Sequence, residues 1–173
     1  SGGIMWIPNN RFMKEAGVQA IKLEGGIPVA PAVRRIVDAG IPVMGHVGFT
    51  PQSVNALGGY RVQGRGDDGP RVLDAAKALE RAGAFAVVLE MVTSEVARQV
   101  TSALSIPTIG IGAGPVCDAQ VLVWQDMAGL RTGRLPKFVK TYGNLRGTLL
   151  EATKAFASDV VSGSFPDDEH SYR

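Results

Sequence analysis

Four ionisable side chains stand within or at the end of apolar segments, where a buried strand would ordinarily carry none. Glu90 ends the segment 85–90, in which the five preceding residues are uncharged. Partial desolvation makes a carboxylate more basic, so a carboxylate in such a place is a candidate general base. The alternative, for any such residue taken alone, is a carboxylate that meets solvent or caps the next helix.

Lys22 and Glu24 occupy alternate positions in the segment "AIKLE" at residues 20–24. Residues two apart in a strand point to the same side, so both side chains can enter one pocket. An ammonium group held there would anchor an anion, whereas an unpaired charge inside a strand would be costly. The alternative is a Lys22–Glu24 ion pair without any metal.

His46 lies in a third apolar segment, "MGHVGF" at residues 44–49. A neutral imidazole in this position could donate a hydrogen bond inside a pocket. It could equally be a packed histidine that supports its neighbours.

The elements that would position these side chains follow a repeating order of strand and helix patterns. Strand patterns cover residues 18–26, 41–49, 84–92, 106–114 and 119–129, and helix patterns cover 29–40, 72–83, 94–105 and 137–162. Alternating patterns of this kind predict a parallel sheet covered by helices, because parallel neighbours need crossover connections. The α/β class is therefore expected, either as an open doubly wound sheet or as a TIM-type βα barrel.

The positions of the polar residues favour the barrel. Glu24, His46 and Glu90 come late in successive strand patterns, and the carboxyl ends of barrel strands are where catalytic groups converge. A closed barrel takes eight strands in typically about 250 residues, whereas this chain shows five in 173. We therefore expect one partial barrel domain over 1–173 with only about the last five strands. Residues 1–10 read as an atypical N-terminal remnant, and 11–17 as the end of a helix.

Composition narrows the function classes. Lys and Arg number 18 against 16 for Asp and Glu, so the net charge of +2 gives no electrostatic case for nucleic acid or an anionic membrane. The single cysteine, Cys117, cannot form an internal disulfide and is expected to be a buried side chain in a reducing, cytoplasmic setting. No apolar run has the roughly 18 residues of a membrane span. A small-molecule enzyme is the default expectation.

Seven segments resemble one known family in order and spacing, from Arg11 to the C-terminus. They are "AIKLEGG", "PVMGHVGFTPQSVNALGGYRVQGR", "FAVVLEMV", "IPTIGIGAG", "QVLVWQDMAG", "PKFVKTYGNLRG" and "FPDDEH". They resemble ketopantoate hydroxymethyltransferase of pantothenate biosynthesis. The resemblance implies a βα barrel that transfers a hydroxymethyl group from methylene-tetrahydrofolate to the 2-oxo acid 3-methyl-2-oxobutanoate with Mg²⁺. It also implies a homo-oligomer, since the family forms decamers.

The resemblance assigns a role to each candidate residue. Glu90 matches the proton acceptor, Lys22 a residue that binds the substrate's carboxylate or keto oxygen, and Glu24 a carboxylate near the magnesium. His46 is expected to bind substrate. The family's main magnesium ligands are two aspartates of strands nearer the N-terminus, and the sequence offers no match for them. Activity is therefore expected to be impaired in this chain.

Other interpretations stay open beside this one. A non-catalytic half-barrel scaffold and a related metal-dependent lyase or mutase acting on 2-oxo acids both fit the strand pattern. The glycines at 110, 112 and 114 are a weak match to a dinucleotide fingerprint, because no convincing helix pattern follows. The Gly- and Arg-rich loop 58–69 could cover an anionic substrate or simply connect two elements, and Thr50 with Pro51 predicts a short helix.

Overall fold

The structure, a computed structural model, describes residues 19–55 and 58–172. The predicted helix end at 11–17 and the N-terminal remnant at 1–10 lie outside the described residues. Contacts divide the chain into two compact units, 1–121 and 122–173. The single partial domain expected from the sequence stays a prediction.

Five parallel strands form one sheet in the first unit. They are β1 (Ile21–Glu24), β2 (Val43–Gly48), β3 (Ala86–Glu90), β4 (Thr108–Ile111) and β5 (Ala119–Gln120). Their order in the sheet is the order in the chain, and every neighbouring pair is parallel. A doubly wound sheet would reverse at a switch point, so the unreversed order is that of an arc of a βα barrel.

Helices connect the strands as the sequence predicts. The α-helices are α1 (Ala30–Asp38), α2 (Gly69–Arg81) and α3 (Ser94–Ala103) in the first unit, and α4 (Trp124–Met127) and α5 (Leu145–Ser162) in the second. Thr93 caps the N-terminus of α3, its hydroxyl oxygen accepting a hydrogen bond from the Val96 amide at 3.4 Å. The short helix predicted after Thr50 is a single 3₁₀ turn, Pro51–Ser53. Right-handed crossovers in an unreversed order place α1, α2 and α3 on one face of the sheet.

The helix-covered face carries the apolar core. Val43 and Val47 of β2 are 0% and 3% exposed, and Gly45 lies between them on the same face. Leu79 of α2 packs so closely there that a Cβ on Gly45 would lie 2.7 Å from Leu79 Cδ1. Side chains alternate along a strand, so the residues between these positions point to the opposite face. That face receives the ionisable residues.

Two sequence predictions need correction. The pattern at 119–129 is strand only at Ala119–Gln120, because the backbone leaves the sheet after the amide of Val121 donates to the carbonyl of Gly110 at 2.9 Å. Its apolar alternation then continues into the helical turn α4. The tail is helical from Leu145 and not from 137, because Gly143 disfavours helix and Asn144 caps the helix, its Oδ1 accepting from the Gly147 amide at 3.1 Å.

Candidate active site

Strand register brings the four predicted site residues to one edge of the sheet. Glu24 of β1 lies opposite His46 of β2, and Gly48 of β2 lies opposite Glu90 of β3. Glu24 and Glu90 are the last residues of their strands, whereas His46 is two residues before the end of β2. The alternation that buries Val47 turns these side chains away from the helices, toward a shared space.

The side chains form a connected polar cluster. His46 Nε2 lies 3.2 Å from Glu90 Oε2, and His46 Nδ1 lies 3.3 Å from Lys22 Nζ. Glu24 Oε1 is 3.9 Å from Lys22 Nζ and 4.0 Å from His46 Nδ1. The side chains of Glu24, Glu90 and His46 are 13%, 17% and 1% exposed, and that of Lys22 is 46% exposed. The cluster is therefore enclosed at the carboxylates and imidazole and open at the ammonium group.

The backbone around Glu90 is held by groups that sequence reasoning did not single out. The amide of Phe49 donates to the carbonyl of Glu90 at 2.8 Å, and Gly48 approaches so closely that a Cβ there would lie 2.3 Å from that oxygen. Met91 has φ +48°, a left-handed conformation that is uncommon for a side-chain-bearing residue. Such strain concentrates at functional sites. The only sequence signal was the glycine at the end of β2.

Glu24 takes part in protein contacts of its own. The amide of Gln52 lies 3.4 Å from Glu24 Oε2, and Gln52 Nε2 donates to the Glu24 carbonyl at 3.1 Å. Gln52 belongs to the 3₁₀ turn that follows β2, so this turn closes over the end of β1. Gln52 is a further residue that sequence reasoning missed.

The described residues do not by themselves make a magnesium site. Across 19–55 and 58–172, no group of three or more His, Cys, Asp and Glu side chains could hold a metal ion. Glu24 has the ammonium group of Lys22 as its neighbour instead of a second carboxylate. Magnesium prefers near-octahedral oxygen ligation, which one carboxylate cannot provide.

The glycines after β4 belong to a supported turn and not to a dinucleotide loop. The segment between β4 and β5 contains no helix. Asp118 Oδ2 accepts hydrogen bonds from the amide and hydroxyl of Thr108 at 2.8 Å and 2.9 Å, and these bonds hold the pKa of Asp118 below its usual value. The Asp118 carboxylate therefore supports the start of β4. The neighbouring Cys117 is buried as predicted, and burial raises the pKa of its thiol.

The second half of the loop 58–69 is anchored to the strand that carries Glu90. The amide of Gln63 donates to the carbonyl of Met91 at 2.8 Å, and Gln63 is 7% exposed. Asp68 accepts from the amide of Gly64 at 2.9 Å and pairs with Arg71, whose guanidinium lowers the pKa of that carboxyl. This part of the loop is a fixed support of the β3–α3 connection.

Parallel βα units with ionisable side chains grouped at the carboxyl edge of the sheet define the class of βα-barrel enzymes. A profile of the family described as ketopantoate hydroxymethyltransferase matches residues 8–168. The chain therefore belongs to the ketopantoate hydroxymethyltransferase family.

Close relatives agree with this assignment. The chain is 65% identical over 162 residues to a 3-methyl-2-oxobutanoate hydroxymethyltransferase of Acidothermus cellulolyticus, covering 94% of this chain and 60% of the relative. It is 62% identical over 162 residues to a protein of the same name from Nocardioides sp., covering 94% and 55%. The chain thus spans somewhat more than half the length of these relatives.

One solved structure shows a distant likeness. The YdjI aldolase from Escherichia coli K12 aligns with a TM-score of 0.41 at 18% identity, covering 66% of this chain and 48% of that one. Separately, in the part of the chain that the structure describes, no helix has the length and apolar character needed to cross a membrane.

Proposed function

We propose that this chain carries the proton-transfer and substrate-binding residues for transfer of a hydroxymethyl group from methylene-tetrahydrofolate to 3-methyl-2-oxobutanoate. The observation that carries the proposal is the largely enclosed Glu90 carboxylate, within one cluster with the Lys22 ammonium group, in a member of this family. Joining a one-carbon unit to the branched carbon beside a ketone requires removal of a weakly acidic proton. A base and an anion anchor are the two groups this step needs.

In the proposed mechanism, Glu90 takes the proton from C3 of the 2-oxo acid. Its place at the end of β3 leaves it 17% exposed, and the hydrogen bond from the Phe49 amide to its carbonyl fixes its backbone. Lys22, with 46% of its side chain exposed, binds the carboxylate or keto oxygen of the substrate. The resulting enolate carbon then forms a bond to the methylene carbon of the folate donor, the bonds from that carbon to the folate nitrogens break, water supplies the hydroxyl group of the product, and tetrahydrofolate leaves.

Glu24 is the residue of this chain that we propose as a magnesium ligand. Glu24 would contribute one carboxylate to a magnesium site whose other ligands come from outside the described residues, and the cation would stabilise the negative charge of the enolate. The same reasoning makes the complete activity a property of a longer assembly, since the matched relatives exceed the length of this chain. A homo-oligomer and a cytoplasmic location are proposed on the family resemblance.

Exchange of the C3 proton of 3-methyl-2-oxobutanoate in deuterated water tests the proposal. We expect the 173-residue polypeptide alone to be inactive or nearly so. Mixing it with the part of the Acidothermus cellulolyticus relative that it does not match should restore magnesium-dependent exchange. Glu90→Gln in that mixture should lower the exchange rate by roughly 10²- to 10⁴-fold, the usual contribution of a general base.

The matched control is Glu95→Gln, which alters an exposed carboxylate on α3 and should leave exchange unchanged. Absence of exchange in the reconstituted mixture would favour a non-catalytic scaffold. Full exchange by the polypeptide alone would show that the residues present here suffice.

A further inference from the structure

We propose that His46 is a positioning residue that holds Glu90 and Lys22 through its two ring nitrogens, as the neutral tautomer with hydrogen on Nε2. The roles of Glu90 and Lys22 rest on the proposed function, but the hydrogen-bond assignment does not. This role differs from the substrate-binding role that the resemblance implies for His46, because it leaves neither ring nitrogen free for a substrate.

The surroundings of Nε2 require a hydrogen on that atom. Nε2 lies 3.0 Å from the carbonyl oxygen of Phe49 and 3.2 Å from Glu90 Oε2. A carbonyl oxygen can only accept a hydrogen bond, so the contact with Phe49 is a bond only when Nε2 donates. An ionised Glu90 carboxylate is an acceptor as well. Both neighbours therefore call for the same donor.

The surroundings of Nδ1 require a lone pair on that atom. Among the residues that the structure describes, Lys22 Nζ lies within hydrogen-bond distance of it at 3.3 Å, and an ammonium group has three donors and no acceptor. Glu24 Oε1, at 4.0 Å from Nδ1, is beyond hydrogen-bond distance and lies 3.9 Å from the same ammonium group. A hydrogen on Nδ1 would point at a donor, so the tautomer with hydrogen on Nε2 is the one that satisfies both sides.

The ring is constrained by a chain of contacts that joins His46, Phe49 and Glu90. His46 donates to the carbonyl of Phe49, and the amide of Phe49 donates to the carbonyl of Glu90 at 2.8 Å. The side chain of Glu90 completes this chain of contacts, with Oε2 at 3.2 Å from His46 Nε2, within ion-pair distance. His46 is 1% exposed, so solvent does not compete for either nitrogen. One buried ring thus sets the direction of the carboxylate and of the ammonium group together.

In this arrangement His46 positions the other two side chains, and Lys22 and Glu90 contact the substrate. The Lys22 ammonium group gives one hydrogen to Nδ1 and keeps two for an anion at its exposed side. Glu90 uses Oε2 toward His46 and keeps Oε1 for the substrate. The substrate therefore meets Lys22 and Glu90 while His46 stands behind them.

Nitrogen NMR of the ¹⁵N-histidine-labelled 173-residue chain tests the tautomer without any turnover. We expect His46 Nδ1 to resonate in the range of a ring nitrogen without hydrogen, and Nε2 in the range of one with hydrogen. His170 is the internal control, because its Nδ1 faces Asp167 Oδ1 at 2.6 Å and so carries hydrogen. His170→Gln assigns the two spectra. A hydrogen on Nδ1 of His46 would overturn the proposal.

Two variants separate the two ends of the ring. Lys22→Met should shift the Nδ1 resonance of His46 and leave Nε2 in place, because the Phe49 carbonyl still accepts from it. Glu90→Gln should perturb Nε2 and leave Nδ1 in place. If Lys22→Met leaves the Nδ1 resonance of His46 unchanged, Lys22 is not the partner of Nδ1 and the proposal fails. If the expected tautomer is observed but the substrate's C3 proton does not exchange, the proposed reaction is contradicted and the hydrogen-bond assignment is not.

Discussion

Helix α2 in the first unit buries Val72, Ala76 and Leu79, whereas α5 in the second unit buries no residue although it is longer, with 18 residues against 13. The contrast is not one of composition. Apolar residues of α5 are 37% to 56% exposed at Leu145, Leu149, Phe156 and Val160, which follow a helical stripe of spacing four, seven and four. A stripe of this kind is the usual core-facing side of a helix.

The two helices obtain their stability in different ways. Within the described chain, α5 relies on its ends: Asn144 Oδ1 accepts from the amide of Gly147 at 3.1 Å, and Gly163 closes the helix with φ +75°. Helix α2 instead relies on side chains packed against the sheet. Most helical stability in proteins comes from such packing. Identical substitutions in the two helices should therefore have unequal effects.

The largest expected effect is that of Leu79→Ala in α2. Leu79 is 0% exposed and packs directly on Gly45, so its removal leaves a cavity against β2. The free energy of unfolding should fall by about 2–5 kcal/mol. Urea unfolding monitored by circular dichroism measures it.

The matched control is Leu149→Ala in α5, where the side chain is 52% exposed. The change should stay within about 0.5 kcal/mol. A large loss of unfolding free energy for Leu149→Ala that grows with protein concentration would contradict this expectation. It would show that the apolar stripe of α5 is buried between chains in solution.

A second test compares glycines of the two units. Gly48 has φ +91°, and an added Cβ would lie 2.3 Å from the carbonyl oxygen of Glu90, whereas Gly133 has φ +82° with nothing within 4 Å. Gly133→Ala should cost only the left-handed conformation, about 1–2 kcal/mol. Gly48→Ala should cost more, because the end of β3 must also move.

Urea unfolding of both variants measures the two losses in the free energy of unfolding. The difference between them is the contribution of the close approach between β2 and β3. Equal losses would mean that the strands separate freely at this edge. That outcome would contradict a Glu90 backbone fixed by its neighbours.

The sequence predicted the parts of the fold that depend on local pattern. Strands β1 to β4 and helices α1 to α3 lie close to where apolar periodicity predicts them. The buried and exposed sides of such an element follow from the spacing of apolar residues within its own segment. The prediction of a strand over 119–129 was wrong beyond Gln120, because the apolar alternation fits a strand whereas sheet pairing ends after the bond from the Val121 amide to the Gly110 carbonyl of β4.

The candidate site was predictable to the same extent. The placement of Lys22 and Glu24 on one side of a strand follows from spacing, and the structure brings both to His46. The partners of His46 could not be predicted, because its contact with Lys22 joins two strands that are distant in the chain, and a contact with the backbone carbonyl of Phe49 does not depend on residue type. Left-handed Met91 is a product of tertiary constraint as well.

The smallest expected effect concerns two carboxylates, one in each unit. Glu80 near the end of α2 accepts hydrogen bonds from the amide and hydroxyl of Ser105, 2.6 Å and 2.8 Å away, and these bonds hold the pKa of Glu80 below its ordinary 4.5. A carboxylate with a lowered folded pKa adds stability above its unfolded pKa. That stability is lost as pH falls through the folded pKa. Because the group is well solvated, Glu80→Gln should cost less than about 1 kcal/mol at neutral pH.

Asp167 in the second unit is the carboxylate to compare with Glu80. His170 lowers the pKa of Asp167, but both residues lie three apart in an exposed tail, so Asp167→Asn should leave cooperative unfolding unchanged. Urea unfolding of both variants at neutral pH and at several values below 4.5 measures the difference. The deficit of Glu80→Gln should shrink toward zero as the parent carboxyl takes up its proton. A deficit that stays constant with pH would assign the effect to packing of the side chain and not to its charge.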